Sequence, residues 1–97
     1  MELIIANNNI ETMRHRSKIE IIADILRSIM NDSTLSSSKV MYKSFLTYKQ
    51  MREYLPFLLQ NELIKYGDKD RTFAITNKGL HFLEMYNSLP EFLNENR

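Results

Sequence analysis

The chain has 97 residues, 43% of them hydrophobic and 26% charged, with a formal net charge of +1 and no cysteine. That is the material of one domain with a single core, and it excludes a disulfide framework and any thiolate metal site. No stretch approaches the ~18 apolar residues of a membrane span, and Leu3-Ile4-Ile5-Ala6 is too short for a signal peptide, so a soluble, cytoplasmic protein is expected.

Residues 1–13 read as an N-terminal arm, with Leu3-Ile4-Ile5 as a short strand and Asn7-Asn8-Asn9 as a turn. Residues 14–97 read as one domain. Its first helix starts at Ser17, which forms an S-x-x-E capping box with Glu20. Ile19, Ile22, Ala23, Leu26 and Met30 then follow helical spacing toward a core. Ile21, Ile25 and Ile29 widen the apolar arc to about 200°, broader than a surface helix needs.

Asn31-Asp32-Ser33 ends that helix, and Thr34-Leu35 reads as a short extended piece. Ser36 to Ser38 offer caps for a second, short helix running to Lys43. Val40 and Met41 are expected to point inward, Lys39 and Lys43 outward. Tyr42 is also assigned to the core. Ser44-Phe45-Leu46 reads as a turn that buries its apolar residues. Thr47 then caps a third helix with an inner face of Met51, Tyr54, Leu55, Leu58 and Leu59. Its outer face carries Tyr48, Lys49, Arg52 and Glu53, with Gln50 on the flank. Pro56 is expected to kink or end it.

Leu63 to Tyr66 and Arg71 to Ile75 read as a hairpin joined by the polar tip Gly67-Asp68-Lys69-Asp70. Thr76 caps the last helix. That helix has Leu80 and Leu83 on one side and a second apolar stripe of Phe82, Met85, Tyr86, Leu89 and Leu93. Two apolar faces exceed what one small core can cover, so the second stripe reads as a homodimer contact, with burial inside its own chain as the alternative. Pro90 should kink or interrupt this helix.

The order is helix, short helix, turn, helix, two-stranded hairpin, helix. It is mainly α with a small β-hairpin (α+β), the order of a winged helix-turn-helix domain. In that arrangement a short helix and tight turn hold the third helix outward so that it can enter a DNA major groove. Between Lys39 and Arg52 stand four basic residues (Lys39, Lys43, Lys49, Arg52) and no acid, a local patch suited to phosphate. Tyr48, Lys49, Gln50 and Arg52 are the expected contacts of the third helix. Arg52 suits a bidentate pair with guanine, Gln50 one with adenine, and Lys49 a phosphate. Thr47 is a cap first and a contact second. Ser37, Ser38, Lys39 and Lys43 suit phosphate contacts that set register. In the hairpin Lys69 and Arg71 can reach phosphate, but Asp68 and Asp70 between them oppose it.

The sequence also resembles archaeal winged helix-turn-helix DNA-binding proteins, among them small chromatin-associated proteins dimerising through a C-terminal helix. The resemblance runs from Arg16-Ser17-Lys18-Ile19-Glu20-Ile21-Ile22-Ala23-Asp24-Ile25-Leu26 through Lys39-Val40-Met41-Tyr42-Lys43 and Leu46-Thr47-Tyr48-Lys49-Gln50-Met51. It continues in Tyr54-Leu55, Phe57-Leu58-Leu59, Phe73-Ala74-Ile75-Thr76-Asn77-Lys78-Gly79-Leu80 and Phe82-Leu83-Glu84, covering roughly residues 14–89. It implies double-stranded DNA as partner and dimerisation. Pro56 stands where the family has an ordinary helix former, and Pro90 makes a long coiled coil doubtful.

No enzyme signature is present. His15 and His81 are far apart, lack carboxylates at metal spacing and read as surface residues. Ser17, Ser36 and Thr76 have capping roles that displace any reading as a nucleophile. Neither a cofactor nor a small-molecule ligand is expected. Base stacking on single strands is disfavoured while Tyr42 is assigned to the core. The reading is therefore a nucleoid-associated transcriptional regulator. The alternative is a winged-helix module for protein–protein assembly. The low net charge argues against non-specific coating of chromatin.

Overall fold

The computed structural model describes residues 16–94, with side chains through Pro90. The expected arm over residues 1–13, His15 and the side chain of Leu93 lie outside the described residues. Four helices and one hairpin follow in chain order: α1 (Lys18–Asn31), α2 (Ser37–Lys43), α3 (Tyr48–Gln60), β1 (Ile64–Gly67), β2 (Thr72–Ile75) and α4 (Asn77–Asn94).

Three of the four helices described start at a side-chain cap, whereas at α2 the N-cap Ser36 makes no side-chain cap bond, contrary to its expected capping role. Ser17 Oγ accepts from Glu20 N–H while Glu20 Oε1 accepts from Ser17 N–H, at 3.2 and 2.8 Å. Thr47 and Gln50 repeat this box at the start of α3. Thr76 Oγ1 accepts from Gly79 N–H at 3.0 Å to open α4. Each box satisfies backbone donors that a helix start leaves without partners.

The ends of α2 and α3 share a second device. Leu46 N–H donates to Met41 C=O and Phe45 N–H to Tyr42 C=O. Leu63 N–H donates to Leu58 C=O and Glu62 N–H to Leu59 C=O. These paired bonds define Schellman caps, in which one residue turns left-handed. Phe45 (φ 57°) and Glu62 (φ 59°) fill that place, where glycine is usual.

The strands pair antiparallel, Ile64 with Ile75 and Tyr66 with Phe73. Phe73 N–H also donates to Leu35 C=O at 3.0 Å, so the extended piece after α1 adds to the hairpin edge. A four-residue tip closes the turn, with Arg71 left-handed (φ 58°) and its N–H on Gly67 C=O at 2.7 Å. Arg71 is thus a turn residue rather than the first residue of the strand.

The core gathers around α1. Ile21, Ile25, Leu26 and Ile29 meet Leu35, Val40, Leu55, Leu58, Ile64, Phe73 and Leu83, all buried. Burial departs from the expected assignment in six places. Ile19 and Met30 lie within the apolar arc of α1 but in its first and last turns, beyond the elements that cover its middle, and both are exposed. Tyr42 is 83% exposed, because at 3.6 residues per turn it points almost opposite to Val40. Phe45 is 67% exposed, because the left-handed turn throws its side chain outward while Leu46 goes in. Leu59 and Leu80 sit at the edges of their buried faces and are partly exposed. Pro56 and Pro90 lie inside α3 and α4 without ending either. Pro56 is exposed, so the carbonyl left without its helical donor, that of Arg52, lies on an outward turn.

Candidate nucleic-acid interface

The interface begins with a side chain remote from it in sequence. Arg16 is almost fully buried, with 6% of its side chain exposed. Its Nη1 donates to Asp24 Oδ2 at 2.8 Å and to Ser44 C=O at 2.9 Å, and its Nη2 to Phe45 C=O at 2.8 Å. Ser44 Oγ, also buried, donates to Ser28 Oγ of α1 at 3.1 Å. The turn between α2 and α3 is thereby bolted to α1 through its own carbonyls. The direction in which α3 leaves the turn follows from that bolt. Asp24 also accepts from Arg27 Nη1, whose Nη2 reaches Asn87 Oδ1 of α4 at 3.4 Å.

With its inner face of Tyr54, Leu55 and Leu58 buried, α3 turns its N-terminal half to solvent. Burial pushes the Tyr54 phenol above its ordinary value. Tyr48, Lys49 and Arg52 are exposed. The Arg52 guanidinium lies 5.7 Å from the centroid of the Tyr48 ring, one turn away, in cation–π contact. Gln50 is committed differently from the expectation. Its Oε1 accepts from Thr47 N–H at 3.0 Å, so a bidentate grip on adenine would cost the cap. What Gln50 offers outward is its amide donor. Thr47 acts as the cap, its Oγ1 accepting from Gln50 N–H at 3.0 Å.

On α2, Ser38, Lys39 and Lys43 are exposed and Ser37 is half-buried. Ser37 joins Met51, Arg52, Leu55, Tyr66 and Phe73 in lining an open cleft of about 360 Å³ between α3 and the hairpin. The nearest acid before the patch, Asp32, is held below its ordinary range, first by the Thr34 hydroxyl and then by the Thr34 N–H. Lys43 and Lys39 add a smaller pull. At the hairpin tip Asp68, Lys69, Asp70 and Arg71 are all exposed, two acids cancelling two bases.

On α4 the proposed contact stripe divides. Phe82 and Tyr86 are half-buried and pack against their own core, with rings stacked at 6.3 Å. Met85 and Leu89 are exposed, by 59% and 48%. His81 stands on the surface beside Glu84, 3.7 Å away. Among the described residues no three His, Asp or Glu side chains converge as a metal site requires, and no helix is long and apolar enough to cross a membrane.

The profile of the winged helix-turn-helix family matches residues 15–94. This chain belongs to that family. Its α2 and α3 are the helix-turn-helix and its hairpin the wing. The winged helix is also similar to an uncharacterized protein of Methanocaldococcus jannaschii, 39% identical over 69 residues. The match takes in 71% of this chain but only 31% of that archaeal protein.

Three residues of this face are not visible from the sequence pattern. Arg16 makes its bonds across 28 and 29 residues, and nothing local announces them. Tyr42 and Phe45 are hidden when apolar character is assigned to the interior. A signal for Phe45 is nonetheless present. A helix ending at Lys43 and a cap at Thr47 leave room for a single left-handed residue between them.

Proposed function

We propose that this winged-helix protein binds double-stranded DNA as a transcriptional regulator, inserting the N-terminal half of α3 into the major groove. The observation that carries the reading is the exposed, acid-free surface of α2 and of the start of α3, from Tyr48 to Arg52, presented outward by a turn bonded to α1. Arg52 reads guanine, releasing Tyr48 as it extends, and Lys49 takes phosphate. Lys39 and Lys43, with Ser37 and Ser38, set the register on the backbone. The wing contributes little, because Asp68 and Asp70 offset Lys69 and Arg71. Two copies pair through Met85 and Leu89 of α4, with Phe82 and Tyr86 as the inner wall of that contact. A two-fold pair then addresses half-sites on one face of the duplex. Such a protein works on chromosomal DNA in the cytoplasm and catalyses nothing.

The test is fluorescence anisotropy of a labelled random-sequence duplex at several salt concentrations, with Lys49→Ala/Arg52→Ala alongside. Binding should weaken log-linearly with salt. The double variant should bind more weakly, its salt slope shallower by about 0.9 for each phosphate it no longer neutralises. Absence of duplex binding at low salt would overturn the reading and leave α4 as a protein-docking face. Sedimentation of Met85→Glu/Leu89→Glu checks the dimer, which should become monomeric.

A further inference from the structure

Tyr42, Phe45 and Tyr48 are 83%, 67% and 62% exposed. Each is three residues from the next, so neighbouring Cα atoms are at most about 10 Å apart. Phe45 also occupies a left-handed position that costs a bulky side chain free energy, and Arg16 holds it there through the Phe45 carbonyl. On α2, Lys39 stands one turn before Tyr42 on the same side, and Lys43 follows Tyr42 directly. On α3, Lys49 and Arg52 flank Tyr48, one of whose faces already meets the Arg52 guanidinium. From Ser33 to Arg52 there is no acid.

Three exposed rings rimmed by four like charges are a poor seat for a second copy, whose own cations would be repelled. They suit a polyanion that also presents flat apolar faces. Duplex DNA hides those faces in its stack, whereas single-stranded DNA exposes them. We propose that the helix-turn-helix face carries a second binding mode, for single-stranded DNA, in which unpaired bases stack on Tyr42 and Phe45. In this mode Tyr48, Lys49 and Arg52 hold the adjoining strand. The inference shares Tyr48, Lys49 and Arg52 with duplex recognition but does not depend on it.

The experiment titrates wild type, Tyr42→Ala/Phe45→Asn and Lys49→Ala/Arg52→Ala into labelled oligothymidylate of ~15 nucleotides and into the random duplex, at several salt concentrations. Asn tolerates the left-handed position, so the ring is removed without disturbing the turn; circular dichroism and thermal melting confirm the fold. Oligothymidylate affinity should fall by about tenfold per ring removed, by the same factor at every salt concentration, while duplex affinity stays within about threefold. The Lys/Arg variant should instead lower the salt slope on both ligands. The inference is overturned if wild type does not bind oligothymidylate, if the aromatic variant binds it as well as wild type, or if that variant loses duplex affinity equally. Wild type that binds oligothymidylate but not the duplex sinks duplex recognition and supports this mode.

Discussion

Arg16 donates from Nη2 to the carbonyl oxygen of Phe45 at 2.8 Å, across 29 residues, and so ties the start of α1 to the left-handed residue of the helix-turn-helix. A guanidinium suits this task because its fork reaches Asp24, Ser44 and Phe45 at once.

Arg16→Ala removes those three bonds and strands two carbonyls. The expected cost is about 2–3 kcal/mol, the range for hydrogen bonds to a charged donor. It should appear as a lower urea midpoint with an unchanged slope. Arg16→Lys should recover only part of this, since an ammonium is a compact point donor without the fork.

Phe45 sits at a helix C′ position with φ 57° and most of its side chain in solvent. Phe45→Asn should therefore stabilise the fold by about 1 kcal/mol, the scale of left-handed strain in a residue with a Cβ. Chemical denaturation reads it directly. A destabilised variant would mean that the ring makes contacts worth more than the strain.

Gly79→Ala should invert the usual helix rule. Alanine normally stabilises a helix relative to glycine by ~1 kcal/mol. Here an added Cβ would fall 2.3 Å from the Leu63 carbonyl oxygen and 2.7 Å from Ile75 Cγ1. The first obstacle is backbone, so α4 must shift away from the hairpin. A loss of about 2–3 kcal/mol is expected, as for an overpacked core, measured by thermal melting.

Acid should weaken the start of α1. Glu20 is held below its ordinary value of 4.5, first by the Ser17 backbone N–H and then by the Ser17 hydroxyl. A carboxylate depressed in the folded state stabilises it above the unfolded value, and that contribution disappears as pH falls through the folded value. Melting temperature should therefore decline below about pH 4.5. Glu20→Gln should keep the capping box, as Gln50 does at α3, while flattening this part of the profile. An unchanged profile would show that Glu20 is not the group responsible.

Local chemistry in the chain determined the element order, the capping box at Ser17, the cap at Thr47 and the hairpin. Their partners lie within a few residues, and period and spacing record them directly. The basic patch from Lys39 to Arg52 was legible for the same reason. Tertiary structure alone decided which apolar residues face water and what steers α3. Ile19 and Met30 satisfy a helical pattern, yet only neighbouring elements determine whether anything covers them. Phe45 is outward because a left-handed turn reverses the alternation that hydrophobicity implies. The role of Arg16 appears only when the fold brings it against two carbonyls nearly thirty residues away, and contacts at that separation leave no periodicity in a single sequence.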